Sequence, residues 1–299
     1  MGKASAAKQN PDRRERIAAQ RAAARRQETR NRLLIAGGAV IAVVAVVIAF
    51  VVIKANSNSG SSSNATSAYP TGTALAKVVG LTTSVPESVL REVGAGSVSE
   101  KPQSITGDKL KSGGKPEMLY MGAEYCPYCA AERWAMIVAL SHFGTFSGLQ
   151  GMESSSTDLY ANTPTFTFIN AKYASKYLTF TTVELQDRDE STLQTPTAAQ
   201  EALLKKYDAP PYVSSSDAGA IPFVNMGNRY LIVGASYDPG VLSGLTWQEI
   251  AVDLHNPSTK VAKAVNGTAN FMTAALCKLT DDKPASVCTT AVKKLQREI

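Results

Sequence analysis

Cys126 and Cys129, separated by Pro127 and Tyr128 in LYMGAEYCPYC (119–129), are the residues whose types and spacing most directly suggest chemistry. A C-x-x-C pair serves as a redox couple, as half of a zinc site, or as two thiols that merely pack together. Redox use needs a thiolate at one sulfur, and a helix N-terminus favours it with unpaired N–H groups and a positive dipole end. Two intervening residues keep the second sulfur close enough to close a ring onto the first. In that arrangement Cys126 is the exposed nucleophile, and Cys129, one turn into the helix, is buried and resolves the mixed disulfide. Pro127 suits the first helical turn, because the N–H it lacks would have no intrahelical partner.

Cys277 and Cys288 form a second pair in CKLTDDKPASVC, eleven positions apart. Asp281, Asp282, Lys283 and Pro284 make a turn between them, so a bond would tie the ends of two successive helices. In an oxidising compartment a structural disulfide is the favoured reading. Closing so short a loop is worth about 2–3 kcal/mol in the chain-entropy picture. A shuttle pair exchanging electrons with Cys126 and Cys129 is the sharper alternative. A four-cysteine zinc site fits least, since such sites bring together two closely spaced pairs. His142 and His255 are too few and too isolated for a metal centre or a Cys-His nucleophile, and His142 reads as solvated or capping near a helix end. Glu184, Asp187, Asp189 and Glu190 read as a solvated acidic loop. The aromatic residues between 160 and 180 read mostly as sheet core, with some at the rim of a peptide-binding face. No glycine-rich phosphate loop and no Ser-His-Asp order is present, so the pattern calls for no cofactor and no metal.

The elements around these residues follow from local pattern. A glycine-rich turn leads into a short strand over Glu117 to Met121, and AAERWAMIVALSHFG after the cysteines has helical spacing that ends at Gly144. The C-x-x-C therefore lies between a strand and a helix. TPTFTFIN and KYLTFTTVELQ read as strands. AIPFVNMGNRYLIVGA reads as a hairpin about the Gly227-Asn228 turn. Pro222, behind the aliphatic Ile221 at the start of that apolar strand, stands where a cis bond can be built in. Beside the cysteines it would leave the preceding backbone groups free to pair with a substrate chain. Helices are expected after Ser84 with Pro86 in the first turn, after Thr195 with Pro196 first, at the Thr246–Glu249 capping box, and from Pro257. Residues 268–299 read as two further helices joined by a short turn.

Charge is unevenly placed. Residues 1–32 hold ten basic and three acidic groups, while the remaining 267 hold 21 basic and 22 acidic, so the net +6 belongs to the N-terminal tail. A near-neutral main domain argues against nucleic acid as a partner. Residues 33–53 are 21 consecutive uncharged, mostly aliphatic residues, which as a helix span a hydrocarbon core of about 30 Å. The charged region before them is too long for a cleaved secretory signal. Ten basic residues precede the span and Lys54 alone follows closely, so the positive-inside rule places the N-terminus in the cytoplasm and the rest of the chain outside. The expected organisation is a basic cytoplasmic tail (1–32), a transmembrane helix (33–53), a flexible Ser/Asn-rich linker (54–72) and one extracytoplasmic domain (73–299) in the cell membrane.

KPEMLYMGAEYCPYC resembles the strand that leads into the active site of thioredoxin-like proteins: Lys-Pro, an apolar strand, Ala-Glu-aromatic, then Cys-x-x-Cys. AIPFVNMGNRYLIVGA resembles their cis-proline strand and the hairpin after it. Cys-Pro-Tyr-Cys is the tetrad common in glutaredoxins, and oxidising DsbA-type enzymes use a similar Cys-Pro-x-Cys. The whole extracytoplasmic part is similar to an uncharacterised thioredoxin-like group of membrane-anchored archaeal and actinobacterial proteins. The resemblance is strongest over 115–144 and 219–236.

It implies an α/β fold, a thioredoxin-like domain with an enlarged insertion and extra C-terminal helices, preceded by one transmembrane helix. It implies thiol–disulfide exchange on exported proteins, with Cys126 attacking, Cys129 resolving, and Pro222 with Ile221 orienting the substrate chain. Pro127, Tyr128 and Tyr120 would belong to the active-site loop, and the partners would be exported protein thiols and disulfides together with a membrane redox partner. Two residues depart from the pattern. Tyr120 stands where thioredoxin has a buried Asp six residues before the first Cys, and Gly122 where a Trp usually precedes Ala-Glu. A tyrosine hydroxyl is no base at neutral pH, so oxidase or isomerase chemistry is preferred to reductase. Glu124, if close to Cys126, would raise its pKa. The rival reading is a non-enzymatic assembly or scaffold subunit of a membrane complex, with the C-x-x-C a structural disulfide. Copper delivery would need a histidine near Pro222, and none is there.

Overall fold

The apolar run MLYMG forms the last five residues of an eight-residue strand and is buried on both faces, which is how a strand reads when layers cover it on either side. The computed structural model describes residues 69–299; the expected tail, the expected span and the linker as far as residue 68 lie outside the described residues. Among the described residues no helix is long and apolar enough to cross a membrane.

The chain is mixed α/β. Helices α1 (Gly72–Thr83) and α2 (Glu87–Val93) precede short strands β1 (Gln103–Ser104) and β2 (Lys111–Ser112) and the long β3 (Lys115–Gly122). Helix α3 (Pro127–Ser141) follows, then β4 (Thr145–Ser147), β5 (Gln150–Glu153), β6 (Pro164–Thr167), β7 (Lys172–Ala174) and β8 (Thr179–Glu184). After α4 (Ala198–Tyr207) come β9 (Phe223–Met226) and β10 (Tyr230–Val233), then α5 (Trp247–Asp253), α6 (Lys260–Leu279) and α7 (Thr290–Leu295).

Strand β3 is central. It pairs in parallel with β8 and antiparallel with β9, while β10 pairs with β9 and β1 with β10. Strand β2 pairs with the first residues of β3. Alternate side chains of β3 enter two cores. Met118 and Tyr120 pack with α3 and α6, whereas Leu119 and Met121 pack with Val183, Tyr207, Phe223 and Leu231 on the α4 side. Two further antiparallel pairs, β4 with β7 and β5 with β6, make up the segment inserted between α3 and β8.

Several helix starts differ from those the sequence suggests. Thr195 and Pro196 do not open α4. Thr197 caps it instead, because Thr197 and Gln200 exchange reciprocal bonds, Thr197 N–H to Gln200 Oε1 at 2.8 Å and Gln200 N–H to Thr197 Oγ1 at 3.3 Å. Pro257 likewise lies outside α6, whose cap is Thr259, accepting from Ala262 N–H at 3.0 Å. Pro86 caps α2, and Ser84 closes α1 by donating its N–H to Leu81 O. Residues from 260 to 279 form one helix, with α7 as the second after the turn. The Thr246–Glu249 capping box and the Gly227-Asn228 hairpin stand as expected.

Candidate redox site

Strand β3 runs straight into the cysteine loop, and α3 begins at Pro127 with Cys126 as its cap. Cys126 Sγ accepts the Cys129 backbone N–H at 3.2 Å, which satisfies one of the helix's free donors. Both cysteines are free thiols. The Cys126 pKa lies below the usual thiol value. The Cys129 side chain donating to it is the largest cause, burial works against it, and the Cys129 N–H and the Arg133 charge add to it. Cys129 has no exposed surface, and burial pushes its thiol well above the ordinary value. The two sulfurs are thus set apart, the first poised toward thiolate and the second held protonated.

The Ile221–Pro222 peptide is cis. Register pairs Met121 with Phe223, which carries Pro222 to the Gly122 end of β3. Ile221 O lies 3.7 Å from Cys126 Sγ, so residues 95 positions apart in sequence meet at one sulfur. Tyr125 and Ile221 pack over the pair. Cys126 is consequently 4% exposed rather than open to solvent, a correction to the sequence expectation: the loop residues and the 221–222 segment cover it.

Beneath Cys129 lies an ion pair that sequence reasoning missed. Arg133, four residues further along α3, donates Nε–H to Glu184 Oε1 at 3.1 Å and Nη2–H to Glu184 Oε2 at 2.7 Å. Both side chains are fully buried. Nη2 also reaches Ala123 O at 2.9 Å, which ties the helix to the cysteine loop. Burial alone would favour a neutral Arg133, but the Glu184 carboxylate outweighs it and the guanidinium pKa lies above the ordinary value. Glu184 is not part of a solvated acidic loop. The parallel register of β3 and β8 sets it opposite Gly122 and turns it inward. The signal available was Glu132-Arg133 in the middle of an otherwise apolar helix, since a charge there needs a buried partner.

Tyr120 completes the group. Its hydroxyl donates to Glu184 Oε2 at 3.4 Å, and its ring lies 5.7 Å from the Arg133 guanidinium. Burial holds its phenol well above the usual range, so it is a neutral donor and not a base. Gly122, two residues on along the same face, is glycine for a reason. A Cβ there would collide with the Tyr120 ring and hydroxyl and stand 3.0 Å from Cys129 Sγ. The two departures from the thioredoxin-like pattern are therefore one packing solution.

At the rim, Tyr128 is 38% exposed and meets Tyr160 edge to face at 6.2 Å, with Leu159 exposed nearby in sequence. Burial is the main cause that raises the Glu124 carboxyl pKa, and no effect of Glu124 on Cys126 is among the main causes at that thiol. His142 stands at the far end of α3 as its C-terminal cap, and His255 bonds Leu81 O at 2.9 Å through Nε2, so neither reaches the cysteines. The other two cysteines are joined in a Cys277–Cys288 disulfide with Cα atoms 5.6 Å apart, between the ends of α6 and α7. Phe166 and Phe168 lie in the core as expected.

The model of a family described as a domain of unknown function (DUF929) matches residues 101–278, a stretch that includes Cys126, Cys129, Arg133, Glu184 and Pro222. No curated protein and no solved structure matches the chain.

Proposed function

The chain belongs to the family described as a domain of unknown function, DUF929, and from the site it carries we propose that it is a thioredoxin-like thiol–disulfide oxidoreductase acting on exported proteins. The observation that carries the reading is the meeting at Cys126 Sγ of a helix N–H at 3.2 Å and the carbonyl that precedes Pro222 at 3.7 Å. One sulfur is activated as a nucleophile, and beside it lies the Ile221 carbonyl, which accepts from the Cys126 thiol and would pass to a substrate backbone N–H. The strand order supports the same reading: the strand leading to the cysteines lies between a parallel neighbour and the antiparallel strand that follows Pro222.

In the oxidising direction the pair begins as a Cys126–Cys129 disulfide. A substrate thiolate attacks Cys126 Sγ, the bond to Cys129 breaks, and Cys129 leaves as a thiolate that takes up a proton. A second substrate thiolate then attacks the mixed disulfide and displaces Cys126. The substrate has lost two electrons to form its disulfide, and the enzyme pair has gained them as two thiols. A membrane redox partner would reoxidise the pair; no cofactor or metal enters these steps. Isomerisation uses Cys126 alone, which attacks and is later displaced.

Oxidase or isomerase work is preferred to reductase because Glu184 is not a free base for Cys129. Its oxygens accept from Arg133 twice, from Tyr120, and from Phe168 N–H at 3.3 Å. The site would face the extracytoplasmic side, tethered through the apolar segment 33–53 with the N-terminus in the cytoplasm. Exposed Tyr128 and Leu159, together with the half-buried Tyr160, give an apolar rim suited to unfolded peptide.

The low exposure of Cys126 favours a second reading, a scaffold subunit whose cysteine pair is inert. A Cys129→Ala variant separates the two, because its Cys126 cannot be resolved and should hold exported proteins as mixed disulfides. After mild reduction, iodoacetamide should label Cys126 of the wild type at neutral pH while Cys277 and Cys288 stay unlabelled. An unlabelled Cys126 together with no trapped protein would establish the scaffold.

A further inference from the structure

At the end of β3 away from the cysteines, roughly 25 Å along an eight-residue strand, lies an open cavity of about 540 Å³. Its walls carry six lysines and Arg229 against a single carboxylate, Asp281. The chain beyond residue 32 holds 21 basic and 22 acidic groups, so a near-neutral domain places a third of its cations around one hollow. None of the seven belongs to any of the ion pairs found among the described residues, which involve Lys101, Arg133, Arg188 and Lys293. Lys109, Lys111, Lys176 and Lys283 are exposed, and their ammonium groups form no hydrogen bond within the described residues.

Like charges gathered without counter-charge repel one another, so the arrangement is unfavourable unless something else is satisfied by it. The α6 C-terminus accounts for Lys278 and, by position, Lys283, since cations there offset the helix dipole. It does not account for Lys109, which precedes β2, for Lys111, the first residue of β2, or for Lys176, which precedes β8. The walls are also fixed. The Cys277–Cys288 bond brackets Lys278 and Lys283, and Thr280 Oγ1 donates to Lys283 O at 2.7 Å inside that loop. The hairpin turn below Arg229 is pinned by Asn228 Nδ2–H to Asp108 O at 2.7 Å. A volume of this size is that of a small-ligand site rather than of a polymer groove.

We propose that this cavity binds a compact polyanion bearing two or more phosphate groups, either free or as the headgroup of an anionic phospholipid. Ammonium groups converging from separate segments suit several phosphate oxygens at once, and the Tyr177 and Tyr230 rings supply the apolar part of the wall. The Cys277–Cys288 disulfide then has a local purpose, holding one wall of an anion site. This inference does not depend on the redox reading.

The test uses the full chain in neutral detergent, because its basic tail contributes equally in every variant. Inorganic pyrophosphate is titrated calorimetrically, and co-sedimentation with vesicles containing cardiolipin, whose headgroup carries two phosphates, is compared with phosphatidylcholine vesicles. The Lys109→Ala/Lys176→Ala/Lys283→Ala variant should bind at least one of the two anions roughly tenfold more weakly. A control variant, Lys77→Ala/Lys205→Ala/Lys260→Ala, should bind like wild type. Loss for pyrophosphate alone points to a free anion, loss for cardiolipin alone to a lipid, and equal loss to both. The altered lysines are exposed, so unfolding midpoints without anion should coincide; if they do not, Lys111→Ala alone is titrated instead. Wild-type binding in the cavity variants for both anions, or loss equal to that of the control, overturns the proposal.

Discussion

Arg133 and Glu184 have no exposed surface, so neither charge can be left alone without a large penalty. Arg133→Met strands a buried carboxylate and should lower unfolding stability by about 3–5 kcal/mol in urea. The Arg133→Met/Glu184→Leu double variant should lose less than either single one, since it removes both charges together. The same double variant should move the pH profile of Cys126 alkylation upward, because Arg133 is one of the groups that favour the thiolate. An unchanged profile would assign the pair to packing alone. Cys126, Cys129 and Pro222 were legible in the sequence because their chemistry is written in short motifs. Arg133 and Glu184 were not. Their pairing depends on parallel register between strands more than fifty residues apart, and the acidic neighbours of Glu184 in sequence face water while it does not.

Helix α6 is crossed by the loop after α2 at the point where both chains have glycine. A Cβ on Gly267 would stand 2.7 Å from Ala95 O, and one on Gly96, whose φ is +58°, would overlap Lys263 O. Helix propensity alone would make Gly267→Ala stabilising by about 1 kcal/mol. Close backbone contact decides otherwise, because overpacking typically costs about 1–3 kcal/mol. Gly267→Ala should therefore lower the thermal midpoint, and a raised midpoint would show that the loop yields. Elements with a local signature were read correctly, such as α5 with its capping box and the β9–β10 hairpin. Helix α1 went unread because it buries only Val78 and Thr82, so its apolar face is too narrow to show as a period. The starts of α4 and α6 were misplaced because a proline in the cap region is a weaker determinant than a threonine with a side-chain bond to make.

The described chain is one compact unit whose stability should carry the mark of a second buried carboxyl. Glu132, on α3 beside Arg133, accepts from Ser236 N–H at 2.9 Å and from Ser236 Oγ–H at 2.8 Å, and so ties the helix to the segment after β10. Burial pushes its pKa from an ordinary 4.5 up to about 7, with the Ser236 bonds opposing. Between those values the folded chain keeps a proton that the unfolded chain has lost. The corresponding stability is present in full below pH 4.5 and is lost as pH rises through 7. The loss amounts to about 3 kcal/mol, and Glu132→Gln should flatten it when unfolding is measured from pH 5 to 8. At this scale the sequence revealed an α/β chain and the strand that leads into the cysteines, though not that strand's central place in the sheet. It could not reveal the gathering of lysines at one pole, because their four segments meet only once the sheet is closed.

Gly122 bears on how such a site can change over time. With Tyr120 in place, even one added methyl at 122 meets the ring, and a bulky residue at 122 needs the ring gone. The two positions are thus epistatic: a chain with an acid at 120 and tryptophan at 122 cannot be converted to this one through the intermediate that carries tyrosine and tryptophan together. The passable route runs through glycine at 122 first, a state with an empty volume above Cys129 that the tyrosine later fills.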